Sequence, residues 1–214
     1  GALTGEVPIG DVEVFLHGRE REEAQNRLRH ESGGSDGPFV GFFPGAGWDH
    51  REWPADRFAR LGDMLADRGF RAVVLGGPRD VDACRRVADH MSSRPVVLGG
   101  IARLRETIAF IDRMSLFVSN DTGPMHIAAG LGRPTIGLFG PGDIVKYRPW
   151  GAHAHVISAR LPCSPCPQWR DTCHLLGFRR KECMERISVE EVYARAVEIL
   201  DAIPHATKAA GEEQ

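Results

Sequence analysis

The sequence lacks any hydrophobic run of the ~20 residues that a membrane-spanning helix needs. Its N-terminus lacks the basic stretch followed by an apolar one that is typical of a secretory signal peptide. Neither sign of charge dominates, since 27 Lys and Arg stand against 29 Asp and Glu in 214 residues. Without a basic excess we expect no nucleic-acid partner, and together these absences predict a cytoplasmic protein.

The composition is that of an ordinary globular protein, with 42% apolar and 26% charged residues. Residues 1–37 differ from the rest of the chain. They suggest a short strand at Val12–Leu16, a charged helix at Arg19–Glu31 and a linker at Glu31–Pro38 that is rich in Gly and Ser. We therefore interpret residues 1–37 as the remnant of a preceding domain plus a linker.

From residue 38 to residue 203, short apolar strands alternate with amphipathic helices. We predict strands at 39–43, 71–75, 95–98, 116–118, 134–138 and 154–157. We predict helices at 54–68, 79–91, 103–113, 124–131 and 188–203. This alternation indicates an α/β fold with a Rossmann-like, doubly wound parallel sheet, followed by a disordered tail at 204–214.

The most informative segment spans residues 119–134, with the sequence SNDTGPMHIAAGLGRP. An apolar strand leads into its polar turn, and Pro124 then opens a helical run. Asp121 or Thr122 can cap this helix, and Pro suits its first turn because no amide donor is needed there. A helix start presents N–H groups and a partial positive charge, so we predict that this turn holds a diphosphate.

Four side chains and amides of this turn are candidates for contact with the ligand. Asp121 can hold sugar hydroxyls, Thr122 and Gly123 can offer N–H groups to phosphate, and His126 can face the ligand from one turn into the helix. The alternative is that Asp121 is only a helix cap and His126 only a packing residue.

A second glycine-rich turn, at residues 44–54, follows the first strand. Glycine lets the backbone approach a ligand closely, and the planar guanidinium of Arg51 can pair with a phosphate. The alternative is a plain strand–helix loop with a solvated Arg, because the turn is not a full GxGxxG. Both turns follow strands, and ligands of such sheets bind outside the carboxyl ends of the strands.

An insert at residues 160–186 contains four of the five cysteines: Cys163, Cys166, Cys173 and Cys183. Four thiolates can form a tetrahedral structural site for Zn or Fe, which would help an insert with little apolar material to fold. His174 can substitute for one ligand. Reduced thiols or a redox CxxC remain alternatives, disulfides do not suit a cytoplasmic protein, and Cys84 is expected in the core.

Together these motifs resemble glycosyltransferase family 9, the ADP-heptose:lipopolysaccharide heptosyltransferases. The matching stretches are FPGA at 43–46, WP at 53–54, GGPRD at 76–80, SNDTGPMHIAA at 119–129 and GRPTIGLFGP at 132–141. The Asp-Thr-Gly-x-x-His core with its flanks is the most specific of them. The resemblance covers about 38–203 and implies the C-terminal half of a GT-B fold, the half that binds the nucleotide sugar.

The resemblance implies that ADP-heptose is the sugar nucleotide. Its expected contacts are Gly45, Ala46, Arg51, Asp80, Asp121, Thr122, Gly123, Pro124 and His126. Arg51 stands where the family usually has a phosphate-binding Lys, two residues before the Trp-Pro pair, and Asp80 is the candidate for the ribose side. No cofactor is needed for catalysis, although some members of the family carry a cysteine-bound iron in this domain.

The family transfers heptose with inversion to a lipopolysaccharide core acceptor, through which a peripheral contact with the membrane is expected. Its catalytic base lies in a preceding acceptor domain, in a Gly-Asp-containing turn. Gly10-Asp11 resembles that pair only superficially, so we expect a fragment or truncated product that lacks the base. A non-catalytic nucleotide- or metal-binding module and a sugar-nucleotide epimerase-like domain remain alternative functions.

Overall fold

The computed structural model describes residues 13–101, 103–166 and 182–202. The strands are β1 (Phe39–Phe43), β2 (Arg71–Leu75), β3 (Val96–Leu98), β4 (Leu116–Asn120), β5 (Thr135–Phe139) and β6 (Ala154–Ser158). The helices are α1 (Gly18–Glu31), α2 (Ala55–Ala66), α3 (Val81–His90), α4 (Leu104–Ile111), α5 (Gly123–Gly130), α6 (Ile144–Tyr147), α7 (Glu182–Glu185) and α8 (Val189–Ala202).

The six strands form one parallel sheet in the order β3-β2-β1-β4-β5-β6. The predicted α/β fold with a doubly wound parallel sheet is therefore confirmed. The chain order reverses direction between β1 and β4, and the carboxyl ends of these two strands lie side by side. Such a switch point leaves a crevice in which open α/β sheets bind their ligands.

Alternating side chains of each strand feed two separate apolar cores, one on each face of the sheet. Val40 and Phe42 pack toward α2, α3 and α8, whereas Phe39 and Phe43 pack toward α1, α4 and α5. Burial on both faces explains why the strands are continuous apolar runs rather than alternating ones.

The N-terminal part of the described chain differs from expectation in one respect. Residues 13–17 form no strand, and the N–H of Val14 donates instead to the carbonyl of Gly130 at the end of α5. The predicted strand at Val12–Leu16 is therefore wrong over its described residues, because this segment finds one carbonyl rather than a strand to pair with. The predicted helix at 19–31 is confirmed as α1, which packs against α4.

Several predictions fall on residues that the structure does not describe, among them those for Gly10-Asp11, Cys173, His174 and the tail. Two four-residue helices, α6 and α7, had not been predicted, since helices this short carry no periodic signal. Among the described helices, none combines the length and apolar character needed to cross a bilayer.

The close packing around Gly41 in β1 leads to a stability prediction. A Cβ placed there would lie 2.7 Å from both Met114 Cγ and Phe117 Cδ2. Because Phe117 is a buried residue of the neighbouring β4, we expect Gly41→Ala to lower the free energy of unfolding by about 1–3 kcal/mol. Urea titration followed by circular dichroism measures the change.

The matched control is Gly18→Ala, at the first turn of α1, where a Cβ meets nothing within 4 Å. We expect it to leave the stability unchanged or slightly raised, since Ala is the better helix former. Equal effects of the two substitutions would contradict the prediction.

Candidate functional site

Two loops meet at the switch point between β1 and β4. The parallel register pairs Phe43 with Ser119, so the loop that follows β1 and the turn that follows β4 leave the sheet side by side. These are the two turns that the sequence marks as candidates for phosphate binding. Their meeting follows from strand order, since β1 and β4 are neighbours in the sheet although residues 44–115 lie between them in the sequence.

An ion pair joins the two loops. Arg51 Nη1 lies 3.2 Å from Asp121 Oδ2, and the two side chains are only 19% and 8% exposed. The guanidinium of Arg51 also lies over the ring of Trp48, with its carbon 5.0 Å from the ring centre. The structure thus brings together a cation and a carboxylate that the sequence assigns to separate turns.

Beside this ion pair α5 begins without a side-chain cap. Thr122 is the N-cap residue, but its side chain makes no capping hydrogen bond, and its hydroxyl lies 3.0 Å from Ser119 Oγ instead. Pro124 occupies the first turn, as predicted, and Gly123 is exposed. The predicted side-chain cap from Asp121 or Thr122 is absent, since Asp121 is paired with Arg51 and the Thr122 hydroxyl lies beside Ser119. The first N–H groups of α5 therefore receive no side-chain acceptor from the N-cap residue.

The surroundings of Asp121 make it an unusual carboxyl group. Burial raises the pKa of Asp121, and the positive charge of Arg51, followed by that of His126, acts in the opposite direction. His126 itself is exposed, on the first turns of α5. The net direction is upward, so desolvation outweighs the two cationic partners at this position.

The loop after β2 contributes Asp80, which lies against Gly45 of the loop after β1. Asp80 Oδ2 accepts a hydrogen bond of 2.9 Å from the N–H of Gly77, which fixes the carboxylate within its own turn. Its other oxygen lies so close to Gly45 that a Cβ placed there would be 2.1 Å away. Gly45 is therefore required by packing against Asp80, and Ala46 follows it, half-buried, along the same loop.

Asn120 is a site residue to which sequence reasoning assigned no role. Its side chain is fully buried, its Nδ2 donates to the Pro44 carbonyl at 2.8 Å, and its Oδ1 accepts from the Trp53 N–H at 3.0 Å. The only sequence signal is an amide side chain directly before Asp121, at the end of an apolar strand. The last residue of a strand is usually either apolar and buried or polar and exposed. An Asn that is buried at this position therefore needs hydrogen-bond partners.

The loop after β5 forms the third wall. Gly142 lies against the ion pair, since a Cβ there would be 2.5 Å from Asp121 Oδ2. The same loop is bonded to the cysteine insert: the Cys166 N–H donates to the Pro141 carbonyl at 2.9 Å, and a Cβ on Gly140 would lie 2.9 Å from Cys183 Sγ. The insert therefore supports the wall that touches Asp121.

Three of the four cysteines in the predicted metal site lie within the described residues. Within the described part of the chain, no three His, Cys, Asp or Glu side chains come together as a metal-ligand group. Cys163, Cys166 and Cys183 are described and form no disulfide with one another, whereas Cys173 lies outside the described residues. Cys84 is buried in the core, as expected.

Two surface cavities lie away from this site. One, of about 440 Å³, lies between α1 and α4, and the other, of about 300 Å³, lies beside β6. The carboxylates of the first are already paired, as Glu20 with Arg105 and Glu106 with Arg27. We favour the switch point because the predicted charged groups converge there.

Comparison with known sequences points to one family. The model of glycosyltransferase family 9 (heptosyltransferase) matches residues 8–176. Lipopolysaccharide heptosyltransferase 2 of Escherichia coli K12 is 31% identical over 128 residues, which are 58% of this chain and 37% of that protein. Lipopolysaccharide heptosyltransferase 3 of the same strain is 38% identical over 101 residues, 46% of this chain and 29% of that protein. The chain thus spans well under two thirds of the length of these relatives.

Comparison with solved structures agrees. A family 9 glycosyltransferase from Veillonella parvula DSM 2008 superposes with a TM-score of 0.72 at 28% identity, over 88% of this chain and 53% of that one. The E. coli heptosyltransferase WaaC, solved with ADP, gives 0.59 at 22% over 76% and 44%. The iron-containing dodecameric glycosyltransferase TibC of enterotoxigenic E. coli gives 0.62 at 15% over 78% and 47%. At these lower identities the last two indicate the fold alone.

The elevated pKa of Asp121 predicts how stability depends on pH. The folded value lies above the ordinary 3.8, so the folded state holds this proton more tightly than the unfolded chain does. The resulting stabilisation is complete below the unfolded value and is lost as pH rises through the folded one. We therefore expect the unfolding free energy of the wild type, relative to Asp121→Asn, to increase as pH falls from about 7 to about 4.

Asp63 provides the matched comparison with the opposite sign. Burial acts to raise its pKa, but hydrogen bonds from Ser93 and Ser92 outweigh burial and lower it. The stabilisation from Asp63 is present above the unfolded value of 3.8, so the wild type should lose stability relative to Asp63→Asn as pH falls below about 4, through the lower folded value. Denaturant titrations at a series of pH values give both slopes, and slopes of the same sign would refute the assignment for Asp121.

Proposed function

Because the chain belongs to glycosyltransferase family 9, we propose that its switch-point crevice binds the diphosphate of a sugar nucleotide, ADP-heptose. The observation that carries the proposal is the convergence of Arg51 on Asp121 beside a helix start that no side chain caps. A cation and open N–H groups are what a diphosphate requires. The heptosyltransferase WaaC, whose structure was solved with ADP, has a similar fold.

Binding of a diphosphate rearranges charge within the site. In the free protein Arg51 is paired with Asp121, so the phosphate oxygens compete with that carboxylate for the guanidinium. Asp121 then becomes available to the hydroxyls of the sugar or of the ribose, while the amides of Thr122 and Gly123 face the phosphates. His126, which is exposed and interacts electrostatically with Asp121, adds a further hydrogen-bond donor.

The same groups suit a leaving diphosphate. As the bond between the sugar and the phosphate breaks, negative charge grows on the phosphate oxygens. A guanidinium and fixed backbone dipoles aimed at that position lower the barrier, because they are oriented before the reaction begins. This chemistry requires no metal ion, since Arg51 supplies the positive charge.

For the whole enzyme we propose inverting transfer of heptose to a lipopolysaccharide core acceptor in the cytoplasm. The names of the curated relatives support this reaction class. The regions that align with this chain are only 37% and 29% of those relatives. We therefore assign nucleotide-sugar binding to these 214 residues and the catalytic base to residues outside them, and expect negligible transfer by this chain alone.

Calorimetry with ADP tests the proposal. We expect the chain to bind ADP and to prefer it to GDP and UDP. Arg51→Gln and Asp121→Ala should each weaken binding at least tenfold, since the first removes the cation and the second removes the group that orients it. His126→Ala should have a smaller effect because that side chain is exposed.

Arg85→Gln serves as the charge-matched control, since Arg85 is an exposed residue of α3. Its affinity for ADP should equal that of the wild type. A preference for UDP would favour the epimerase-like alternative. The absence of any nucleotide binding would favour a non-catalytic module and would remove the basis of the proposal.

We further propose that Cys163, Cys166, Cys173 and Cys183 hold a structural Zn or Fe ion. Two of the described cysteines support it: Cys166 is bonded to the β5 loop, and Cys183 Sγ packs beside Gly140 of the same loop. Thiolate ligands are those that Zn and Fe prefer in four-coordinate sites. Bound there, the ion would stiffen the loop that carries Gly142 and thus the wall against Asp121.

Elemental analysis of anaerobically purified protein tests the metal site. We expect one ion per chain, lost in Cys166→Ser and retained in Cys84→Ala, whose thiol lies in the core. Chelation should lower the unfolding temperature of the wild type and not that of Cys166→Ser. Metal-free protein whose stability is the same with and without a chelator would contradict the assignment.

A further inference from the structure

We propose that Asn120 is a positioning residue, which holds the Arg51 loop in register with Asp121 so that the diphosphate site is formed before any ligand arrives. This inference rests on the proposed function of the same site. Nothing in the motif itself assigns a task to Asn120. The argument starts from its burial and from the two backbone groups that it binds.

Asn120 binds both ends of the loop that carries Arg51. Its Nδ2 donates to the carbonyl of Pro44, the first residue after β1, and its Oδ1 accepts from the N–H of Trp53, which closes the loop before α2. One side chain therefore pinches the ten residues 44–53 at their base. Because one side chain holds both of its ends, the loop is a compact unit that would move as a whole.

An amide is the side chain suited to this task. The loop presents one carbonyl and one N–H to the same buried position, so a single residue must donate and accept at once. At this position Asp would lack the hydrogen-bond donor, and Leu, the apolar counterpart of Asn, would lack both the donor and the acceptor. Each unsatisfied partner would carry the full penalty of a buried polar group, which makes the geometry around Asn120 narrowly defined.

The two hydrogen bonds of Asn120 affect both partners of the ion pair. Asn120 is bonded along the chain to Asp121, and Trp53 is only two residues from Arg51. The separation of the guanidinium from the carboxylate is thus set through one rigid residue. Trp53 has a second anchor, because its indole N–H donates to the Ile187 carbonyl at 3.0 Å and its ring is buried. Without the Asn120 side chain, the bond to Ile187 would still hold Trp53 in place, whereas the backbone at Arg51 would no longer be fixed relative to β4.

A double-mutant cycle tests whether Asn120 acts through Arg51. We expect Asn120→Ala to weaken ADP binding about tenfold. In the background of Arg51→Gln the same substitution should have almost no further effect, because the group that it positions is already gone. Additive losses in the double variant would overturn the proposal. Asn120→Ser provides a milder variant if Asn120→Ala does not fold.

A ligand-free readout separates this inference from the proposed function. Carbon-detected NMR titration of the Asp121 carboxyl reports its contact with Arg51. In Asn120→Ala the contact loosens, so the pKa of Asp121 should rise further above its wild-type value. An unchanged titration would overturn the proposal, even in a protein that binds ADP. If the wild type binds no ADP, the proposed function fails and the titration alone decides.

Asp63→Ala is the matched structural control. Asp63 also ties two segments together, since it accepts hydrogen bonds from the backbone of Ser92 and Ser93. Those residues precede β3, at the amino ends of the strands and away from the site. Both alanine variants should lower the unfolding temperature, but only Asn120→Ala should change the titration of Asp121 and the affinity for ADP.

Discussion

The site depends on one ion pair in a position that does not favour charge. Arg51 and Asp121 are mostly shielded from water, and each makes the other tolerable there. A buried pair of this kind contributes little net stability, whereas removal of one partner leaves an uncompensated charge. Its value to the protein is therefore its geometry: a guanidinium held at the open start of a helix, in a crevice between two strands.

The surrounding structure is arranged to hold that geometry. Asn120 ties the β1 loop to β4, Trp53 reaches across to the Ile187 carbonyl before α8, and the β5 loop brings Gly142 against Asp121. The first two of these connections join segments that are far apart in sequence. The crevice is consequently a product of the assembled sheet rather than of any one loop.

The strands could be predicted from the sequence because burial on both faces turns each of them into an apolar run. The predicted bounds of β1 and β2 match the structure, and α5 begins within one residue of the prediction. The short strand expected at Val12–Leu16 was wrong because an apolar pattern alone does not supply a partner to pair with. Local signals also gave no indication of α6, in which Asp143 caps four residues.

The site was predictable in part. Residues such as Arg51 and Asp121 stood out because their chemistry is unusual at strand ends. The role of Asn120 could not be predicted, since it depends on which strand lies beside β4 and on two backbone groups that come from another loop. Asp121 or Thr122 was expected to cap α5, but Asp121 is paired with Arg51 and the hydroxyl of Thr122 lies beside Ser119 of β4. Tertiary contacts thus decided the details that propensities left open.

The charges of the free site bear on how the proposed diphosphate would replace Asp121 as the partner of Arg51. A diphosphate brings several negative charges next to Asp121, and repulsion would oppose binding if that carboxylate were strongly ionised. Burial raises the pKa of Asp121, so protonation of this carboxylate costs less free energy than protonation of an exposed one. The guanidinium of Arg51 can then turn to the phosphates without leaving a bare buried anion behind. Desolvation of Asp121, which weakens the free pair, is therefore the property that would allow the proposed diphosphate to replace this carboxylate as the partner of Arg51.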